Sequence, residues 1–332
     1  MASIKRKSQR RRLRKSPDNT NSVSIIGAGR LGLALGTALT KAGYAINLVV
    51  ARTAASANHA GTLLRTNSEY VGAKGLSRLP RQSLQLIEFS SVVFVATPDD
   101  AIPGVAQQLA DVLKFLRAAD GQSAGPPVVL HTSGALSSRA LQPLKTHGRS
   151  LGSIHPLISI SDKNGLTNFL SGAFFSLEGD PIAIRVAKRI VQDLGGKAFI
   201  IDARSKPLYH AAAVMASPNV TALFDMALAM LGRCGISAAQ ARQIFLPLVI
   251  STVKNLVDQD PTRALTGTFK RGDIATARKH ISAIESVGLT DALGAYAVLG
   301  RHSLNLSGLP RARRAEIERL LTRALKRAVK AY

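Results

Sequence analysis

The stretch Ser22-Val-Ser-Ile-Ile-Gly-Ala-Gly-Arg-Leu-Gly32 decides how the whole chain is read. Val23, Ile25 and Ile26 form a short run of β-branched residues suited to a buried strand. Gly27, Gly29 and Gly32 follow as G-x-G-x-x-G, with Ala28, Arg30 and Leu31 between them. Leu33, Ala34, Leu35, Ala38 and Leu39 are good helix formers and run to Gly43, after which Ile46–Val50 forms a second strand. The strand, helix and strand around it are what make the glycine motif informative. Gly27 permits the tight turn, Gly29 lets the backbone approach a pyrophosphate, and Gly32 lets helix and strand pack closely. The first helical turn then offers free N–H groups and positive dipole to phosphates.

The end of the second strand selects the nucleotide. An NAD site places Asp or Glu there to accept from the ribose 2′-hydroxyl, whereas an NADP site uses Arg. This chain has Ala51-Arg52-Thr53, and no acidic residue lies between Asp18 and Glu69. Arg52 can fork onto a 2′-phosphate, with Arg30 close by in the glycine loop. The expected cofactor is therefore NADP(H), held by Gly27 to Gly32, Arg52 and Thr53.

The alternation of strands and helices continues. Ser91–Ala96 is a buried-type strand that ends in Thr97-Pro98-Asp99-Asp100, where Asp99 or Asp100 suits the N-cap of a helix through Leu116. Val128–Leu130 leads to His131-Thr132-Ser133-Gly134, and Leu151–Ile154 leads to His155-Pro156. Ala173–Leu177 and Lys197–Ile201 are further strands around a helix from Pro181 to Leu194. Ligands of open α/β sheets bind outside the carboxyl ends of strands, where Thr97, Ser133 and His155 all fall. From Lys206 the strands stop, and Lys206–Gly232, Ala238–Val257, Ile274–Ser286, Asp291–Leu304 and Arg311–Lys330 are expected as helices. The fold class is α/β: a doubly wound, mostly parallel Rossmann-type sheet followed by an all-α C-terminal domain. The boundaries are a basic disordered arm at 1–19, a nucleotide-binding domain at 20–203, and a helical substrate and dimerisation domain at 204–332.

Composition bounds the class. The 332 residues include 44 Lys+Arg against 20 Asp+Glu, a net charge of +24. Much of the excess is terminal: residues 1–15 hold eight basic side chains and no acid, and residues 310–332 carry a net +6. Such blocks are solvated arms that also attract polyanions such as nucleic acid, without sequence specificity. A single Cys, Cys234, excludes an internal disulfide and the common zinc patterns, and reads as a structural thiol. Seven scattered His residues give no metal-ligand spacing, so no metal is expected. Arg30 and the glycines interrupt what would otherwise mimic an export signal. Pro207–Phe224, the most apolar long stretch, contains His210, Ser217, Pro218 and Asn219, and is expected to be a buried helix rather than a membrane span. A soluble, cytoplasmic protein follows.

At this point the chain resembles a known group. GAGRLG, ATPDDAI, HTSGALSS, GSIHPL, KPLYHAAAVMAS and LTGTFKRGDIATARKHISAI recur in this order in Rossmann-like oxidoreductases that pair an NADP-type domain with a helical C-terminal domain of unassigned function. The resemblance spans about residues 22 to 300. This group is similar to the 6-phosphogluconate dehydrogenase, ketopantoate reductase and prephenate dehydrogenase superfamily. That likeness implies hydride transfer between the two domains and a homodimer built by the helices. Two positions depart from the pattern: Pro218-Asn219 stands where Asn followed by an aromatic is common, and Thr268 where Pro is usual.

Hydride transfer needs a matched proton donor or acceptor, and His has the pKa nearest neutrality. His155 follows a strand and precedes a rigid proline, and prephenate dehydrogenase has a comparable His-Pro segment. Lys206, His210, Ser217 and Thr221 fall on one face of the expected first long helix. Lys206 could bind a substrate carboxylate or protonate an alkoxide, with His210 sharing the proton work. Ser133, Gly134 and Ser217 are expected to contact substrate, and Arg271 to clamp an anionic group. Asp273 reads as the N-cap of the following helix. Thr97, Pro98 and Asp99 are expected to edge the nicotinamide pocket. The sequence thus reads as an NADP(H)-dependent oxidoreductase acting on a small anionic carbonyl, imine or hydroxy compound in an interdomain cleft. A non-catalytic NADP sensor or assembly factor, a nucleic-acid-binding protein using its basic ends, and hydride exchange with a deazaflavin are the alternatives.

Overall fold

The computed structural model describes residues 21–120, 127–160 and 170–331; the basic arm expected at 1–19 lies outside them. The chain divides into two compact units, one ending at Ala213 and the other starting at Val214.

The first unit alternates strand and helix: β1 Ser22–Ile26, α1 Arg30–Lys41, β2 Ala45–Ala51, α2 Ala54–Leu64, β3 Ser68–Tyr70, α3 Arg81–Glu88, β4 Val92–Val95, α4 Ile102–Asp120, β5 Val128–His131, β6 Leu151–Pro156, β7 Phe174–Gly179, α5 Pro181–Asp193 and β8 Lys197–Ile200. The sheet order is β3-β2-β1-β4-β5-β6-β7-β8. Every neighbouring pair is parallel except β6 and β7, which run antiparallel. The central strands β1, β4 and β5 are buried along their whole length, as strands covered on both faces must be. One face packs against Leu33, Leu35 and Leu39 of α1 and Ala183, Ala187 and Ile190 of α5. The other packs against Ile87 of α3 and Ile102, Ala106, Leu109 and Leu113 of α4. The sheet is therefore doubly wound. Strand order reverses at β1, which has β2 on one side and β4 on the other, and the crevice at such a switch point is where these sheets bind ligands.

After β8 the chain is helical: α6 Lys206–Ala216, α7 Pro218–Arg233, α8 Ala238–Asp258, the short α9 Pro261–Ala264 and α10 Thr268–Arg271, then α11 Ile274–Ser286, α12 Thr290–Leu306 and α13 Arg311–Lys330. The single helix expected over Lys206–Gly232 is two. Ser217 leaves the helical region at φ −132° and ψ −77°, because Pro218 crowds the residue before it and itself takes the first position of α7. This break ends the polar stripe expected to run from Lys206 and His210 to Ser217 and Thr221. Asp273 caps α11 as expected, its side chain accepting from Thr276 N.

The core of the second unit joins Ile281 and Ile284 of α11, Leu293, Ala297 and Leu304 of α12, and Ile317, Leu321 and Ala324 of α13. The expectation that Pro207–Phe224 is buried fails: α7 has no buried residue, and Leu208, Met215 and Val220 are exposed. Of the 21 residues of α8 only Ala241 is buried, while Leu248, Ile250 and Val257 are 60%, 65% and 79% exposed. The run Ala203–Arg233 is long and apolar enough to cross a membrane by length and composition, although Ser217 divides it. Cys234 is exposed.

Candidate active site

The glycine loop and strand ends surround one cavity of about 410 Å³ in the first unit. Gly27 closes the turn after β1 at φ +116°, where an added Cβ would lie 2.4 Å from Ala96 O, so only glycine fits there. A Cβ on Gly32 would strike Gly27 O, which keeps α1 tight against the loop. Gly29 differs: its backbone is ordinary and a Cβ would meet nothing within 4 Å. Its bareness leaves room at the cavity wall. No side chain caps α1 and no acid sits in its first turn, so its amino end faces the cavity with free N–H groups.

Arg52 lies just past β2, whose Val50 O accepts from Gly27 N at 2.8 Å, so strand and glycine loop end side by side. Arg52 is exposed, and Thr53 caps α2 by accepting from Ser56 N. Glu69 on β3 is engaged elsewhere, its Oε1 accepting from Ser83 Oγ at 2.9 Å. Arg30 is also exposed and donates to Ile160 O at 3.3 Å, bridging the glycine loop to the segment after β6.

On the far wall, β5 and β6 deliver Ser133, Gly134, His155 and Pro156, and α6 delivers His210. The loop after β5 is held from several sides. Ser133 Oγ donates to Asp99 Oδ2 at 2.7 Å and accepts from Ala135 N and Leu136 N, while Ser133 N donates to His131 Nδ1. Asp99 is thus a tether for Ser133 and not an N-cap; the cap position is Pro98. Gly134 has no side chain for a steric reason, since a Cβ would lie 2.4 Å from His210 Nδ1 and 2.9 Å from His155 Nε2.

His155 and His210 meet edge to face at 5.5 Å between ring centroids. His155 Nδ1 shares a 2.8 Å hydrogen bond with Tyr209 Oη. Burial, then the neighbouring charges of His210 and Lys206, push the His155 pKa down to about 4, so it is neutral at pH 7. Burial also holds the Tyr209 hydroxyl above its usual value, keeping it protonated. With the phenol as donor, Nδ1 accepts and the ring proton sits on Nε2, the nitrogen beside Gly134; with the phenol as acceptor, the proton sits on Nδ1.

Lys206 departs most from expectation. It lies at 0% exposure, outside the cavity lining, and its ammonium donates to Ser133 O at 3.1 Å and Ser153 Oγ at 2.9 Å. It is not in solvent, and its ammonium braces the Ser133 loop. Burial lowers its pKa to about 8 against the opposing pull of Glu178 and Asp99. Ser217 and Arg271 lie in the second unit, both exposed. The cavity therefore gathers Gly29, Arg30, Leu31, Thr97, Pro98, Asp99, Ser133, Gly134, His155 and His210. Tyr209 was not legible as a site residue: beside His210 it reads as one more helix residue, and only its partner across 54 positions gives it a role.

The site fits a nicotinamide dinucleotide. Two buried polar atoms at the cavity, Thr97 Oγ1 and His210 Nδ1, have no partner among the described residues, a state that a bound polar ligand relieves. Among the described residues no group of His, Cys, Asp and Glu could hold a metal ion.

Comparison with known proteins agrees with this architecture. Residues 8–156 match the model of a Rossmann-like domain, and residues 173–303 match a domain of unknown function, DUF2520. The two matches follow one another along the chain, first the Rossmann-like model and then DUF2520. Several solved proteins share its fold. A candidate NADP oxidoreductase from Bacteroides fragilis superposes with a TM-score of 0.67 at 19% identity, over 86% of this chain and 99% of that one. A Thermotoga maritima protein gives 0.56 at 23% identity, over 92% and 98%. The imine reductase of Myxococcus stipitatus, solved in complex with NADP+, gives 0.55 at 15% identity, over 92% and 94%. At these identities the likeness establishes the shared fold. No curated protein matches the sequence.

Proposed function

We propose that the protein is an NADP(H)-dependent oxidoreductase that passes hydride to or from a small carbonyl, imine or hydroxy compound. The observation that carries this reading is one cavity at the sheet's switch point, with the uncapped amino end of α1 on one wall and two imidazoles on the other. The glycine loop would hold the pyrophosphate, Arg52 with Thr53 the 2′-phosphate, and Thr97, Pro98 and Asp99 the nicotinamide end. The cofactor, when bound, supplies or accepts the hydride. His155 carries the proton at Nε2, with His210 beside it as a second polar contact. Lys206 acts on the Ser133–Gly134 loop.

A fluorescence titration with NADPH and NADH tests the reading, helped by the absence of Trp. NADPH is expected to bind more tightly. Arg52→Ala should weaken NADPH about tenfold or more, the scale of one lost charge-assisted contact, and leave NADH unchanged. If neither nucleotide binds, the proposal fails.

We further infer a soluble, cytoplasmic homodimer in which a second copy covers the apolar faces of α7 and α8. Contiguous apolar surface of this kind marks an interface. Sedimentation should give twice the 35.1 kDa chain mass at micromolar concentration, and a monomer there would remove the dimer.

A further inference from the structure

We propose that the outer face of α13 docks the phosphate backbone of duplex DNA. Arg319, Arg323, Lys326 and Lys330 are spaced by four, three and four residues. At 3.6 residues per turn they share an arc of about 60° along about 16 Å of helix. All four are exposed, and among the described residues none makes an ion pair. The acids nearby serve the flanks: Glu316 pairs with Arg313, Glu318 with Arg301, and Glu285 with Arg327. The stripe is an unneutralised line of positive charge.

Local stability does not account for it. Like charges three or four residues apart each cost about 0.2–0.5 kcal/mol on a helix. The helix dipole favours the cations of the last turn, Arg327 and Lys330, but does not reach Arg319 and Arg323. The opposite face, with Ile317, Leu321, Ala324 and Ala328, is buried in the core and fixes the stripe outward. A regular row of phosphates offsets the repulsion.

The same face argues against other polyanions. A membrane-lying helix needs its apolar side free to enter the bilayer, and here that side is already buried. Val329 is the one exposed large apolar residue of α13. Single strands are gripped by aromatic stacking, and α13 has no aromatic residue. It also has no Asn or Gln to read adenine.

The test uses the full chain and a fluorescein-labelled 20-base-pair duplex, followed by anisotropy from 50 to 300 mM NaCl. Arg319→Gln, Arg323→Gln, Lys326→Gln and Lys330→Gln are combined in one variant. Glutamine keeps helix propensity, and unchanged NADPH titration confirms a folded first unit. Four lost phosphate contacts should flatten the log–log salt slope by about 3.6 and weaken binding at 100 mM NaCl at least about tenfold. A charge-matched control, Arg233→Gln, Arg242→Gln, Lys254→Gln and Arg263→Gln, should keep the slope. The proposal is overturned if the stripe variant binds like the parent, or if the control loses as much. Binding that disappears only when residues 2–20 are deleted also overturns it, as does tighter binding to phosphatidylserine vesicles or single-stranded RNA than to duplex.

Discussion

Replacing Gly134 by alanine is expected to cost the first unit about 3 kcal/mol, at the upper end of ordinary overpacking. The added Cβ would lie 2.4 Å from His210 Nδ1 and 2.9 Å from both Cε1 and Nε2 of His155. Neither ring has an easy retreat. His155 stands on β6 with Nδ1 bound to Tyr209, and His210 stands on α6, whose first residue, Lys206, is anchored to Ser133 and Ser153. The clash must therefore separate the two imidazoles or push the Ser133 loop off its tethers, and turnover of any substrate should be lost with the stability. Gly104→Ala is the control: it lies in α4, its Cβ would meet nothing within 4 Å, and alanine should stabilise the helix by up to about 1 kcal/mol. Thermal unfolding of both variants decides the matter. A Gly134→Ala protein as stable as its parent would mean that the rings are not packed as described.

Acidification should strike the same wall. His131 is fully buried and burial, then the Lys206 charge, lowers its pKa to about 4; His155 is lowered to the same range. An unfolded His titrates near 6.5, so between pH 6.5 and pH 4 the unfolded chain binds protons that the folded chain refuses. Stability therefore falls as pH drops through that window and is flat, for these groups, above it. His131 alone contributes about 3 kcal/mol of loss by pH 4. Urea midpoints from pH 7 to 4.5 should decline in step, and nitrogen-detected titration of labelled histidines should show both rings neutral at pH 5. Tyr209→Phe should leave the fold intact but release the tautomer, so that His155 populates both ring-protonated forms. A single tautomer surviving that change would deny Tyr209 its positioning role.

Much of this was legible in local sequence. The spacing of Gly27, Gly29 and Gly32 between two apolar runs marks β1, α1 and β2, because each element answers to short-range rules of turn geometry and periodicity. The strand ends carrying Thr97, Ser133 and His155 were legible for the same reason. The break at Ser217 was not: the apolar pattern runs straight through it, and Pro218 is as compatible with the start of a new helix as with a kink. The antiparallel β7 was equally hidden, since pairing direction leaves no mark on a six-residue strand.

The sequence by itself determined the class of fold, the glycine loop after β1 and the absence of an acid at the end of β2. These follow from neighbours along the chain. Tertiary structure decided what each charged or polar side chain does. Lys206 looked like a surface or cleft cation and became a buried brace, because Ser133 and Ser153, 73 and 53 positions away, supply the acceptors that make burial tolerable. Tyr209 acquired its role through His155, and α8 proved bare and α7 only partly covered, through Met226 and Met230, because the core of the second unit is centred on α11, α12 and α13. Hydrogen-bond partners and burial are set by contacts between elements distant in sequence, and no local pattern encodes them.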